Sequence, residues 1–191
     1  TRGLIVDSSG VPLALNRVGL AITVDRIALD KQADKGVNVL ARVSSLLGLS
    51  YDDVYRGTRL CGELPKNDKA GCWTGSRYQP IPITKEADPE IALQIVERTS
   101  EYPGIGAAPI AIRNYPGYAG ANAAHELGYI GPVTEEDLSG QNGRSYYRSE
   151  TIGKTGLEFQ YDSYLRGTPG IRTVIVDRKE SITRVSQNTA P

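Results

Sequence analysis

The sequence contains a single histidine, His125, within the segment RNYPGYAGANAAHELGYIG at residues 113–131. A histidine beside Glu126 is a candidate general base or metal ligand. A hydrolytic triad also needs an activated serine or cysteine, and the sequence has no G-x-S-x-G motif. In HELGY, Tyr129 stands where the second histidine of the zinc-binding pattern H-E-x-x-H would be. We therefore interpret His125 as a packing residue of a short helix that hydrogen-bonds a neighbouring segment, and expect no catalytic residue, metal or cofactor.

Two further matches to catalytic motifs lie around Lys154 and fail on their spacing. Gly153-Lys154-Thr155 copies the end of a phosphate-binding P-loop, but Arg148 occupies the position of the required first glycine. Lys154-Thr155-Gly156 also spells the K-T-G of serine enzymes that recognise penicillin, yet no serine has lysine three positions later. We interpret both matches as chance.

The chain has two cysteines, Cys61 and Cys72, in the segment CGELPKNDKAGCW. Two cysteines alone make a poor zinc site, and the glycine-rich, polar loop between them is flexible enough to close. The pattern favours a disulfide formed in an oxidising compartment. The alternative is a pair of unpaired, half-buried thiols.

Composition narrows the classes of partner. Lys and Arg number 22, as do Asp and Glu, so the net charge is +0 and no basic excess is available for a phosphate backbone. We therefore expect no nucleic acid partner. No apolar run reaches the roughly 20 residues of a membrane-spanning helix. The chain begins at Thr1 and contains no methionine. These features predict a piece of a longer protein, with any membrane anchor outside it.

The elements that must position these residues are short and mixed. The start of the chain predicts strand, turn and strand, and apolar spacing predicts a helix through Val39 and Val43. Asp88 and Pro89 are typical of a helix N-terminus, and residues 105–115 predict a strand. The sequence then predicts short helices in GANAAHELG and GLEFQYDSYLRG, a polar excursion at 139–149, and a β-hairpin in GIRTVIVDRKESITRV.

This succession predicts an α+β fold. We expect a β-rich base built from both chain ends, residues 1–31 and 105–191. The helices and the cysteine loop, residues 32–104, would form an inserted head subdomain.

Three segments resemble motifs of one family, the class B penicillin-binding proteins of the elongation type. RGLIVDSSGVPLALNR matches at Arg2, Gly3, Asp7, Gly10, Leu13, Ala14 and Asn16. RNYPGYAGANAAHELGYIG matches at Arg113, Tyr115, Pro116, Ala123, Ala124, His125, Leu127, Gly128, Tyr129 and Gly131. GKTGLEFQYDSYLRGTPG matches at Gly153, Gly156, Leu157, Glu158, Tyr161, Leu165, Gly167 and Gly170. The cysteine segment looks like the variant of actinobacterial members.

The resemblance implies a noncatalytic, extracytoplasmic pedestal, often called the dimerisation domain. Its parent would be a D,D-transpeptidase of peptidoglycan synthesis with an N-terminal membrane helix before this chain and the transpeptidase domain after it. Implied partners are that C-terminal domain, a RodA-type glycosyltransferase and elongation-complex scaffold proteins, and a homodimer is the assembly suggested by the family's name. The alternatives are a free-standing secreted hydrolase and a small extracellular ligand-binding domain.

Within this resemblance, elementary physical chemistry gives the motif residues structural roles. Arg113 and Glu158 can form an ion pair between distant segments, which fixes orientation more reliably than it adds stability. Gly128, Gly153 and Gly167 suit positive φ angles at the ends of helices and turns. We expect these positions to act as joints of the pedestal, with His125 fixing a helix beside them.

Overall fold

The computed structural model describes residues 1–65, 71–117, 123–139, 146–168, 170–178 and 182–189, and it has the expected α+β fold. Its strands are β1 (Ile5–Val6), β2 (Pro12–Val24), β3 (Ile81–Thr84), β4 (Ile105–Asn114), β5 (Ile130–Pro132), β6 (Thr151–Gly153), β7 (Ile171–Val176) and β8 (Ile182–Thr189). Its helices are α1 (Arg26–Asp30), α2 (Val37–Leu47), α3 (Tyr51–Gly57), α4 (Pro89–Glu97), α5 (Ala124–Leu127), α6 (Glu135–Leu138), α7 (Gly156–Gln160) and α8 (Asp162–Leu165).

The chain divides into two compact units. Unit 1 comprises Thr1–Arg17 and Ala111–Pro191, and unit 2 comprises Val18–Ile110. Strands β2 and β4 therefore contribute residues to both units. The boundaries expected from the sequence, after residues 31 and 104, lie inside unit 2. The assignment of a base and a head as functional subdomains stays a prediction.

Unit 2 contains the larger apolar core. The second half of β2 pairs with β3, and Thr23 lies opposite Pro82. The core is filled by side chains from both strands, from α1, α2, α3, α4 and β4, and from the segment between α4 and β4. They are Ile22, Val24, Leu29, Val39, Leu40, Val43, Val54, Ile81, Ala92, Ile95, Tyr102 and Ile105. The helix ends follow the sequence signals: Asp88 accepts a hydrogen bond from Glu90 N at 2.8 Å, and Gly48 ends α2 with φ 65°.

The cysteine loop of unit 2 is closed by a disulfide between Cys61 and Cys72, as the sequence predicted. The two flanks of the loop are also joined through the backbone. Trp73 N donates to Arg59 O at 2.8 Å, and Cys61 N donates to Trp73 O at 3.0 Å. Covalent and hydrogen bonds thus fix the same pair of segments.

Unit 1 is built from short elements. The start of β2 pairs with β1, β5 pairs with β6, and β7 with β8 forms the predicted hairpin. Among the described residues of this unit, the buried apolar side chains are Ala14, Leu127, Val133 and Ile152. Two carboxylates, Glu158 and Asp162, are 0% exposed in the same unit. Charged groups therefore fill part of the interior of unit 1, whereas aliphatic side chains fill the interior of unit 2.

Among the residues that the structure describes, no helix is both long and apolar enough to cross a membrane.

Candidate functional site

The carboxylate of Glu158, in the first turn of α7, lies where three distant segments of unit 1 meet. Its Oε2 accepts from Arg2 Nε at 2.5 Å, and its Oε1 accepts from Arg113 Nε at 2.7 Å. The hydroxyl of Tyr115 donates to the same Oε1 at 3.2 Å. Each of these residues belongs to one of the three sequence motifs, so the motifs converge on one carboxylate.

A second buried carboxylate, Asp162 of α8, completes the charge balance. Arg2 Nη2 lies 2.9 Å from Asp162 Oδ1 and also donates to the backbone oxygen of Glu158 at 2.9 Å. Asp162 Oδ1 in turn accepts from Gly153 N at 2.9 Å. The cluster therefore contains two guanidinium groups, from Arg2 and Arg113, and two carboxylates.

The arginines also hold the first motif through its backbone and amide groups. Arg113 Nη1 donates to Gly3 O at 2.7 Å and to Asn16 Oδ1 at 3.5 Å. Asn16 Nδ2 donates to Arg2 O at 2.5 Å. Gly3 N donates to Leu165 O at 2.7 Å, which ties the same segment to α8.

Burial determines what this cluster can do. The side chains of Glu158, Arg113 and Arg2 are 0%, 2% and 9% exposed, respectively. Both oxygens of Glu158 already accept charge-assisted hydrogen bonds, which are the stronger kind. A carboxylate so occupied and so buried is suited to fixing the positions of chain segments, and it is poorly suited to moving a proton to or from a substrate.

The pKa of Tyr115 is shifted by the same buried, charged environment. Burial, together with the negative charge of Glu158 and the hydrogen bond to it, raises the pKa of Tyr115 above its ordinary 10.0, although Arg113 opposes the shift. The phenol thus stays neutral and continues to donate a hydrogen bond to the Glu158 carboxylate.

The glycines of the motifs allow close backbone approach around the cluster. Gly128 has φ 74° and Gly167 has φ 71°, as expected. For Gly153 the expectation of positive φ is wrong, because it is not among the residues with positive φ in the described chain. Its side-chain position is instead blocked: a Cβ there would overlap the backbone carbonyl of Glu158. Gly156 has φ 59°, and a Cβ on it would lie 2.5 Å from Glu126 O.

His125 lies outside the cluster. It occupies the short helix α5, but its side chain is exposed, and no hydrogen bond or ion pair links it to the residues that the structure describes. The hydrogen bond expected of His125 is therefore not seen among the described residues, and a packing role for this residue stays a prediction. Leu127, 3% exposed, is the buried residue of α5.

The remaining motif residues surround the cluster or lie away from it. Asp7 is exposed and caps a turn, accepting from Ser9 N and Val11 N, both at 2.8 Å. The Ser9 hydroxyl and then the Val11 N–H lower the pKa of Asp7 from 3.8. Tyr129 is 57% exposed, and its backbone oxygen accepts from Lys154 N at 2.9 Å. Pro116 is half-buried next to Tyr115. Residues 118–122 and most of the polar excursion at 139–149 fall outside the described residues.

Sequence reasoning anticipated the ion pair of Arg113 with Glu158 but missed the part of Arg2 and Asp162 in it. The pair is made through one nitrogen and one oxygen, because Arg113 Nη1 donates to Gly3 O instead and Nη2 is buried without a hydrogen-bond partner in the described part of the chain. Asp162 follows Glu158 by four residues, so the two side chains would share one face of the single helix predicted over GLEFQYDSYLRG. That spacing was the available signal, although the structure divides the segment into α7 and α8.

Comparison with known proteins identifies the family of this chain. Residues 1–191 match the family model of the penicillin-binding protein dimerisation domain, and the chain belongs to that family. The peptidoglycan D,D-transpeptidase MrdA of Salmonella typhimurium is 30% identical over 199 residues, which cover 100% of this chain and 29% of that protein.

Two solved structures share the fold. The penicillin-binding protein PBP2 of Helicobacter pylori, in its complex with MreC, superposes with a TM-score of 0.66 at 21% identity, covering 100% of this chain and 33% of that one. Penicillin-binding protein 2B of Streptococcus pneumoniae gives a TM-score of 0.68 at 15% identity, covering 100% of this chain and 38% of that one. This chain therefore spans about a third of the length of the relatives that it matches.

Proposed function

We propose that this chain is the noncatalytic pedestal of an elongation-type peptidoglycan transpeptidase, where it positions the transpeptidase domain of its parent protein. The observation that carries the proposal is the convergence of the three motifs on Glu158. A buried carboxylate whose two oxygens are both engaged by Arg2, Arg113 and Tyr115 holds segments in place. Such a site fixes the relative positions of the three segments.

The chemistry would belong to a part of the parent outside this chain. The Salmonella relative is named a D,D-transpeptidase, and this chain matches 29% of it. By the resemblance of its motifs, the transpeptidase domain with its S-x-x-K nucleophile would follow Pro191. A membrane helix would precede Thr1, so that the pedestal stands on the extracytoplasmic face. The disulfide between Cys61 and Cys72 agrees with an oxidising compartment.

The proposed partners are an MreC-type elongation scaffold and a RodA-type glycosyltransferase. The scaffold is supported by the shared fold with the Helicobacter pylori protein that was solved in complex with MreC. The glycosyltransferase rests on the family resemblance alone. Contact with both would couple glycan polymerisation to cross-linking.

A secreted hydrolase centred on His125 has no support in the geometry. His125 is exposed, and among the described residues no carboxylate forms an ion pair with it. Catalysis by histidine requires an orienting or nucleophilic partner within hydrogen-bond reach.

A labelled β-lactam tests the proposal. The chain of residues 1–191 should remain unlabelled, whereas the full-length parent should be acylated at a serine outside it. The chain should also bind a purified MreC-type scaffold protein in a surface-immobilisation assay. A parent that is not acylated would overturn the transpeptidase assignment, and so would a hydrolase activity of this chain that His125→Ala abolishes.

A further inference from the structure

The hairpin of β7 and β8 has one apolar face. The strand register pairs Val174 with Val185 and Val176 with Ile182. Directly paired side chains point to the same side of a sheet, as do side chains two positions apart in one strand. These four residues therefore share one side, which we call the apolar face of the hairpin.

Two register shifts and two side chains fix this arrangement. The register shifts between Thr173 and Val174 and between Ile175 and Val176. At these shifts, Thr183 Oγ1 donates to Ile175 O at 3.1 Å and Ser186 Oγ donates to Thr173 O at 3.4 Å. A slip of one residue would move every side chain of a strand to the other side, so these bonds maintain the apolar face.

The apolar face is open to solvent. Val176, Ile182 and Val185 are 38%, 40% and 42% exposed. A two-stranded hairpin alone is marginally stable in water and needs packing against another element. The opposite side is mixed, since Ile175 lies there across from Arg184. Ile175 is 49% exposed, so both sides of the hairpin are open to solvent, and the apolar face is the side formed only by β-branched aliphatic residues.

We propose that the apolar face is the docking surface for the transpeptidase domain of the same polypeptide. This inference rests on the proposed function, because it requires a parent that contains such a domain. The relatives support this occupant by their length: the chain matches only 29% of the Salmonella protein and 33% of the Helicobacter pylori one. A domain tethered in the same chain has a high effective concentration, so a small apolar contact holds it.

A second copy of the chain is a poorer fit to the same surface. A stable interface between separate chains buries about 800 Å² on each partner. Four aliphatic side chains, none of them fully exposed, form a much smaller patch. Interfaces between domains of one chain begin at a smaller size, about 600 Å² in total, and are frequently more polar.

Amide hydrogen exchange in the full-length parent and in the chain of residues 1–191 tests the inference. The hairpin amides of residues 174–176 and 182–185 should exchange about tenfold more slowly in the parent, because docking suppresses local opening. Val176→Thr combined with Val185→Thr keeps the β-branched shape but makes the face polar. In the parent this double variant should return exchange to within about twofold of the isolated chain. Ile175→Thr, on the opposite side of the same strand, should leave the protection intact.

Two readouts separate the inference from the proposed function. If the parent is acylated by the labelled β-lactam but its hairpin exchanges as in the isolated chain, the docking surface is wrong and the pedestal role stands. If the parent is not acylated, the proposed function fails first. Concentration-dependent dimerisation of the isolated chain that the double Thr variant abolishes would assign the face to a second copy and overturn the inference. Unchanged exchange of the double variant in the isolated chain would confirm that its hairpin still folds.

Discussion

Glu158 and Arg113 show how a buried ion pair can matter for geometry more than for stability. Removing two charges from water costs several kcal/mol per ion, and their attraction recovers this only with good hydrogen bonds. Here Arg2 and Tyr115 supply the additional hydrogen bonds to the same carboxylate. The net gain is small, but loss of one member leaves charges buried without partners.

Glu158→Gln should therefore destabilise the protein strongly. The amide keeps the shape of the side chain, but it lacks the charge and turns an NH₂ group toward one of the two guanidinium groups. Breaking a buried pair in this way costs about 3–5 kcal/mol. Urea denaturation, monitored by circular dichroism, measures the change in the free energy of unfolding.

Glu150→Gln is the matched control for that experiment. Glu150 pairs with Arg166 at 3.3 Å, but the two side chains are 15% and 25% exposed. Solvent screens this pair, so its loss should cost about 1 kcal/mol or less. An equal loss in the two variants would show that the Glu158 cluster is not the critical one.

The stability contributed by Tyr115 should depend on pH in the alkaline range. Burial and Glu158 raise the pKa of Tyr115 above 10.0. The unfolded chain therefore releases the phenolic proton first, and the contribution is complete below about pH 10 and lost as the pH rises through the folded pKa. Tyr115→Phe removes one hydrogen bond and should cost about 1 kcal/mol at pH 8. That difference from the wild type should shrink above pH 10, as followed by denaturation at each pH.

Tyr164→Phe is the control for the loss of a phenol hydroxyl. Tyr164 is 84% exposed, so this substitution should change stability little. A constant gap between wild type and Tyr115→Phe across the range would contradict the coupling to Glu158.

At the level of helices and strands, elements with local signals were predictable. Asp88 and Pro89 define the start of α4, and the Gly48 position ends α2, because capping chemistry is contained in a few adjacent residues. The extent of β2 was not predictable: it runs from Pro12 to Val24 through the exposed Val18. Its pairing with distant strands, and not its own periodicity, keeps it extended.

The packing of β6 against α7 gives an element-scale prediction. A Cβ at Gly153 would overlap the Glu158 carbonyl, which is backbone and cannot rotate away. Gly153→Ala should therefore force β6 and α7 apart and cost about 2–3 kcal/mol. For a chain of this size, that corresponds to a fall in Tm of roughly 4–12 °C. Scanning calorimetry measures it.

Gly131→Ala is the control in the paired strand. Gly131 lies opposite Ile152 in the β5–β6 pair, and a Cβ there would approach Lys154 Cγ at 3.2 Å. The lysine side chain is flexible and can move, so the Tm should change little. If both variants lower the Tm equally, general intolerance of the β5–β6 pair explains the result better than the contact with α7 does.

For the whole molecule, the sequence motifs predicted family and fold class better than they predicted individual roles. The sequence singled out His125, yet its side chain is exposed. The sequence did not single out Asp162, which is buried in the cluster. The reason is physical. A motif indicates which segments must come together. Which side chains then pair with the buried charges is decided by the tertiary packing of those segments. Arg2 and Glu158 are 156 positions apart, and no local pattern relates them.

In the full-length parent, Arg113→Ala should separate the pedestal's role from catalysis. The substitution removes the bonds from Arg113 to Glu158, Gly3 and Asn16, so three segments of unit 1 lose a common anchor. The transpeptidase nucleophile would lie in another domain and keep its own surroundings. We expect cells that depend on the variant to assemble their wall poorly, while the purified variant is acylated by a labelled β-lactam at the wild-type rate.

The value of this experiment depends on showing that the variant folds. Arg2 still faces Glu158 in Arg113→Ala, so the carboxylate retains one cation and the domain should remain folded at the growth temperature. Circular dichroism of the isolated chain checks this. Arg98→Ala, which removes an exposed pair with Glu101 at 3.9 Å, should affect neither readout. If folded Arg113→Ala loses acylation, this cluster acts on the chemistry itself, and a purely positional role for the pedestal is wrong.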